Sequence, residues 1–118
     1  MAYVDGFIVA VPKKNILEYR KLAKLAGKVW REHGALAYTE CLADDVPMGK
    51  ITSFPRSVKQ KPSETVVFAW ISYKSRADRN RINKKVMADP RLSGMNMKNM
   101  PFDAKRMIYG GFKVMIDM

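Results

Sequence analysis

The chain has one cysteine, Cys41, one histidine, His33, and only 11 acidic residues against 22 basic ones. A lone thiol excludes an internal disulfide, and one Cys with one His argues against a zinc site built from those ligands, so neither metal nor cofactor is expected. No apolar run reaches the length of a membrane span. The first, Ala2 to Val11, is interrupted by Asp5 and lacks a basic leader, so it reads as a strand and not as a signal. The expected compartment is the cytoplasm, with no membrane partner. A length of 118 residues fits one domain, 1–118, with a single core.

What the chain does have is periodic hydrophobicity and positive charge. Hydrophobic residues make up 47% and recur in segments almost end to end, the mark of a globular chain. The net charge is +11, and 12 of the 22 basic residues fall on two stretches of helical character. Lys13, Lys14, Arg20, Lys21, Lys24, Lys28 and Arg31 lie on the first, and Arg76, Arg79, Arg81, Lys84 and Lys85 on the second. Such a surface attracts polyanions and equally serves as a solvated face. No RNA-binding or helix-turn-helix signature accompanies it, and neither stretch interleaves aromatic residues with its charges. Nonspecific nucleic-acid binding through the basic helices is therefore the alternative reading, not the favoured one.

In chain order, Tyr3 to Val11 is a strand stopped by Pro12. Asn15 and Glu18 resemble a capping box, and a helix follows to His33 with an apolar stripe of Leu22, Leu25, Ala26, Val29 and Trp30, closed by Gly34. Ala35 to Ala43 is a second strand on which Tyr38 and Glu40 share a face. A long excursion to Pro62 has room for a short strand near Ile51 to Phe54. Thr65 to Tyr73 is predicted as the central strand, with Val66, Phe68 and Trp70 on one face and Val67, Ala69 and Ile71 on the other. Ser75 and Asp78 open a second helix with a thin apolar face of Ala77, Ile82, Val86 and Met87, ended by Pro90. A loop bearing Met95, Met97 and Met100 reads as a ligand lid or an adaptable contact surface. The closing strand carries Ile108, Phe112, Val114 and Ile116 on one face and Met107, Tyr109 and Met115 on the other, both to be covered.

This order predicts an α+β fold of ferredoxin-like βαββαβ topology, an antiparallel four-stranded sheet with two helices on one face. The remaining face would then expose an apolar patch on the order of several hundred Å², large enough to imply a partner. A homodimer packed sheet to sheet, a dimeric α+β barrel, removes it.

Several segments carry a family likeness. Tyr3-Val-Asp-Gly-Phe7, Cys41-Leu-Ala-Asp-Asp-Val-Pro47 with Gly49-Lys-Ile-Thr52, Glu64-Thr-Val-Val-Phe-Ala-Trp70, Met87-Ala-Asp-Pro90 and Met100-Pro-Phe-Asp-Ala-Lys-Arg-Met-Ile-Tyr-Gly-Gly-Phe112 together resemble the YbaA-like family of small bacterial proteins. The resemblance spans nearly the whole chain and implies a dimeric α+β barrel. It brings no established activity and no catalytic residues. The heavy basicity of the second helix departs from the family pattern.

The residues themselves offer four candidates for chemistry. His33, at a helix C-terminus, is placed for acid–base work or simply fills the helix stripe. Asp5, Glu40 and Arg106, if they converge, would suit proton abstraction or anion binding; the plain alternative is that Arg106 neutralises a carboxylate in the fold while Asp44 and Asp45 shape a turn. Cys41, in mid-strand, reads as a small buried hydrophobe. Tyr3, Phe7, Tyr38, Trp70 and Tyr109 are the candidate lining of a small-molecule cleft between sheet and helices, or else plain core. Such a cleft would take an organic ligand, with cofactor-independent oxygenase or isomerase-like chemistry as the fold-level analogy. A dimeric scaffold without chemistry is the remaining alternative.

Overall fold

The computed structural model describes residues 2–94 and 99–118. Its elements are β1 (Tyr3–Pro12), a 3-10 turn (Lys13–Asn15), α1 (Ile16–Glu32), β2 (Ala37–Leu42), α2 (Phe54–Ser57), β3 (Glu64–Tyr73), α3 (Arg76–Ala88), α4 (Pro90–Ser93), a second 3-10 turn (Ala104–Arg106) and β4 (Ile108–Lys113). The four strands form one antiparallel sheet in the order β2-β3-β1-β4, as the order of elements along the sequence predicts.

The interior strands β1 and β3 pair along their full length, from Tyr3 opposite Tyr73 to Pro12 opposite Glu64. Cross-strand partners share a face. Tyr3, Asp5, Phe7, Val9 and Val11 therefore project with Tyr73, Ile71, Ala69, Val67 and Thr65, and α1 and α3 lie against this side. Val29 of α1 and Ile82 and Val86 of α3 are buried against Tyr3, Ile71 and Tyr73, while Tyr19 is buried with Val9, Val11 and Val67.

The helix ends follow local chemistry. The Ser75 hydroxyl accepts from the Asp78 amide at 3.1 Å, as its cap spacing predicts. Gly34 leaves α1 at φ 119°, a conformation that favours glycine. Asn15 does not cap α1; its side-chain amide donates instead to the Pro101 carbonyl at 3.1 Å and ties the start of the helix to the approach to β4. The thin face of α3 is thinner than its sequence suggests, since Ala77 and Met87 are exposed.

Three other expectations are corrected. The stretch Ile51 to Phe54 forms no strand; Ile51 is exposed and α2 starts at Phe54, capped by Ser53. Cys41 is exposed rather than buried, because it lies opposite Phe68 on the face without helices. The closing strand is an edge that stops at Lys113, and Ile108, Tyr109, Phe112, Met115 and Ile116 are all exposed within one chain. Met95 and Met97 of the methionine loop lie outside the described residues.

The second face is covered at one end only. Val58, just after α2, is buried with Ala10 and Val66. Beyond that, Val4, Ile8, Phe68, Trp70, Ile108 and Phe112 share the face by register, with Phe54 resting 5.8 Å from Phe68. Phe68 is 43% and Phe112 64% exposed, so a large apolar surface faces outward.

Two buried ion pairs lock the sheet to its surroundings. Arg79 of α3 holds Asp5 at 2.9 Å and lies over the Tyr3 ring at 5.3 Å. Gly111 makes room for that arrangement: a Cβ there would collide with the Tyr3 hydroxyl and sit 2.7 Å from the guanidinium. At the opposite end, Arg106 grips Glu64 with 2.6 and 2.8 Å bonds and also donates to the Lys59 carbonyl at 2.9 Å. That guanidinium holds the Glu64 carboxyl below its usual range, so the pair stabilises the fold above pH about 4.5 and the contribution is lost as pH falls through the lowered folded value. Arg106→Met is expected to cost about 2 kcal/mol at neutral pH, less than a wholly enclosed pair because one edge of Arg106 meets water. Denaturant titrations from pH 3 to 7 check this, and a variant as stable as the parent across that range would refute it.

Candidate functional site

A cavity of about 350 Å³ opens between the helix-side face of the sheet and α1. It exists because small side chains meet across the interface. Tyr19, Leu22, Ala23, Ala26 and Trp30 recur along one side of α1, and Ala23 and Ala26 at its middle stand above Ala69 of β3. Three alanines where leucines would fill the gap leave it open. Phe7, Val9 and Ile71 complete the floor, and Met87, Leu92, Met100, Phe102 and Met107 border the other sides.

Among the described residues, one charged side chain lines this apolar space. Glu40 enters from β2, where alternation places it on the same face as Tyr38. The Tyr38 hydroxyl donates to one Glu40 oxygen at 2.6 Å, and the Tyr19 hydroxyl donates to the other. Burial, and after it the Glu40 charge, pushes both phenols above their ordinary pKa, so both remain protonated donors. A carboxylate has about four acceptor sites, and two of them stay available to a ligand. Trp30, beside Tyr38 at a ring separation of 6.1 Å, is fixed by indole N–H donation to Tyr73 and Asn83, each at 3.1 Å.

The remaining candidates lie elsewhere. Asp5 and Glu40 share the helix-side face, but Asp5 is neutralised by Arg79 and Arg106 is committed to Glu64 and Asp103, so the three do not converge. Their separation follows from position: Asp5 faces α3 across the sheet, and Arg106 precedes the edge strand at the far end of β3. His33 Nε2 lies 2.9 Å from Asp89, a buried carboxylate that Arg91 and then His33 hold well below the usual range. This is a latch between α1 and the start of α4, and neither residue lines the cavity. Phe7 and Tyr38 line the cavity. Tyr3 is core under Arg79, and Tyr109 is 72% exposed and stacks on Phe7 at 6.2 Å. Trp70 cannot join them, because it lies opposite Gly6 and Thr39 on the face away from the helices.

Sequence reading missed Tyr19, which approaches Glu40 only through tertiary packing, and it missed Gly27. A Cβ on Gly27 would lie 2.8 Å from the Tyr38 ring. The glycine thus lets Tyr38 sit against α1 and hold Glu40. Among the described residues no cluster of potential metal ligands occurs, and no helix is long and apolar enough to cross a membrane.

Sheet order, helix placement and cavity define a ferredoxin-like α+β protein. A protein described as a dimeric ferredoxin-like protein, from an uncultured marine organism, superposes with a TM-score of 0.58 at 11% identity, covering 99% of this chain and 98% of that one. The chain belongs to the DUF1428 family, proteins of unknown function, whose family match spans residues 2–104. It is 50% identical over 117 residues to the uncharacterized protein YbaA of Escherichia coli K12, covering 99% of each chain, and equally so to YbaA of Shigella flexneri. The YbaA-like resemblance is thereby borne out.

Because Gly27 is buried under Tyr38, Gly27→Ala is expected to destabilise by about 1–2 kcal/mol. An open helix position would instead gain up to about 1 kcal/mol from the same change. Chemical denaturation gives the sign directly, and a stabilised variant would show that Tyr38 is not held by this contact.

Proposed function

We propose that this protein is a homodimer that binds a small, mainly apolar organic molecule in the cavity over Glu40. The observation that carries this reading is a carboxylate, oriented by two phenols, that is the one charged group among the described residues lining an apolar space of about 350 Å³. That size is near the lower end of the roughly 300–1,000 Å³ of small-molecule pockets. Apolar walls supply affinity, and Glu40 fixes orientation by accepting a hydrogen bond from the ligand.

Proton abstraction from an activated carbon begins both isomerase-like and cofactor-independent oxygenase chemistry, and a carboxylate is a fitting base for it. Both Glu40 oxygens are already engaged by phenols, however, which supports binding further than turnover. The basic residues of α1 and α3 support a solvated face rather than a nucleic-acid surface. No aromatic residue is exposed among them on either helix, and Arg79 and Arg81 are taken up by Asp5 and Asp78.

The dimer rests on the outward sheet face. Phe68, Trp70, Ile108 and Phe112 form a self-complementary apolar patch of the kind a two-fold axis buries, and the marine structural neighbour is described as dimeric. In that arrangement Cys41 and Thr39 are also covered.

Sedimentation should give twice the chain mass, and Trp70→Asp should return it to one chain mass without unfolding it. A parent protein that sediments at one chain mass overturns the dimer. For the pocket, indole titrated into the labelled protein should shift the resonances of Trp30, Tyr38 and Phe102, and Ala26→Leu should abolish those shifts by filling the space. Shifts confined to the outward sheet face, or unchanged by Ala26→Leu, would rule the pocket out.

A further inference from the structure

Four carboxylates are drawn into the fold, three of them buried and Glu40 half-buried. Asp5 is met by Arg79 at 2.9 Å, Glu64 by Arg106 at 2.6 Å and Asp89 by Arg91 at 2.8 Å. Each of these charges is compensated by a guanidinium within the fold, which is what burial ordinarily requires. Glu40 is met by phenols alone, and no other charged side chain lines its cavity among the described residues. In a chain with 22 basic residues, cations are not scarce.

The walls around Glu40 have a matching character. Trp30 and Tyr38 pack at 6.1 Å on one side, and Tyr19 and Phe102 pack edge to face at 5.6 Å on the other. All four rings line the cavity. Aromatic faces attract cations, most strongly where water is excluded, and a carboxylate at the same place adds a charge-assisted hydrogen bond. Met100 and Met107 contribute polarisable surface that adapts to a ligand's apolar body.

We infer that the ligand of this cavity is an organic ammonium: a protonated amine on an apolar, ring-sized body, with the N–H groups on Glu40 and the positive charge between the two aromatic pairs. The inference rests on the pocket reading above and names its ligand class. The net charge of +11 repels a cation at long range, but that repulsion is screened over about 8 Å at physiological ionic strength, so the contacts inside the cavity decide binding.

The test compares three probes of one shape, 2-phenylethylamine, 2-phenylethanol and 3-phenylpropionate, by NMR titration at neutral pH. The amine should bind at least about tenfold tighter than the alcohol, the gain of a charge-assisted bond over a neutral one, and the acid should not bind. Glu40→Gln should bring the amine to the affinity of the alcohol while the alcohol itself still binds, which shows the cavity intact. Equal binding of amine and alcohol to the parent protein, or tighter binding of the acid, overturns the ammonium assignment and leaves the pocket standing. Failure of all three probes, together with indole, removes both. The comparison on the parent protein decides the matter even if Glu40→Gln does not fold.

Discussion

The architecture depends on two adjacent strands, β1 and β3, that are apolar on both faces and occupy the middle of the sheet. A strand of that kind cannot leave either side wet without losing the roughly 25 cal/mol per Å² that burial of apolar surface contributes. One side is closed by α1 and α3, and the closure is incomplete where alanines meet, which produces the cavity. The other is closed only at one end, by Val58 and its neighbours, which leaves the outward patch of Phe68, Trp70 and Phe112. The proposed pocket and the proposed interface are the two ways this sheet is left imperfectly covered.

The same sheet explains the ion pairs. Acidic side chains of the interior strands, Asp5 on the helix-facing side and Glu64 on the opposite one, are removed from water, and each needs a compensating group supplied from another element. Arg79 arrives from α3 and Arg106 from the turn before β4, and these pairs fasten the two ends of the core. Glu40 is distinguished by its partners, since two phenols take up part of its hydrogen-bonding capacity and bring no opposite charge. A half-buried carboxylate in that condition, beside aromatic side chains, is the feature on which the proposed ligand recognition rests.

Much of this was legible in the chain. The strands, the Ser75 cap, the Gly34 stop and the antiparallel order follow from alternation and punctuation, which are local. The shared face of Tyr38 and Glu40 follows from parity alone. The pairing of Asp5 with Arg79 across 74 positions does not, nor does the approach of Tyr19 to Glu40, because no local pattern encodes which distant side chain arrives. Gly27 reads in sequence as a mild helix defect, and only the ring pressed against it gives it a purpose. Cys41 and Trp70 were misplaced for one reason: alternation assigns them to a common face without saying that this is the face the helices do not cover.

By itself the amino-acid sequence determined the four strands and the two long helices, the division of each strand into two sets of side chains, the excess of positive charge and the topology that joins them. These depend on backbone periodicity and composition, which act over a few residues. Only the tertiary structure decided which set faces α1, which arginine meets which carboxylate, and that Ala23, Ala26 and Ala69 coincide to leave a space beside Glu40. Those outcomes depend on how whole elements dock, and the volumes and charges that settle docking come from residues far apart in the chain.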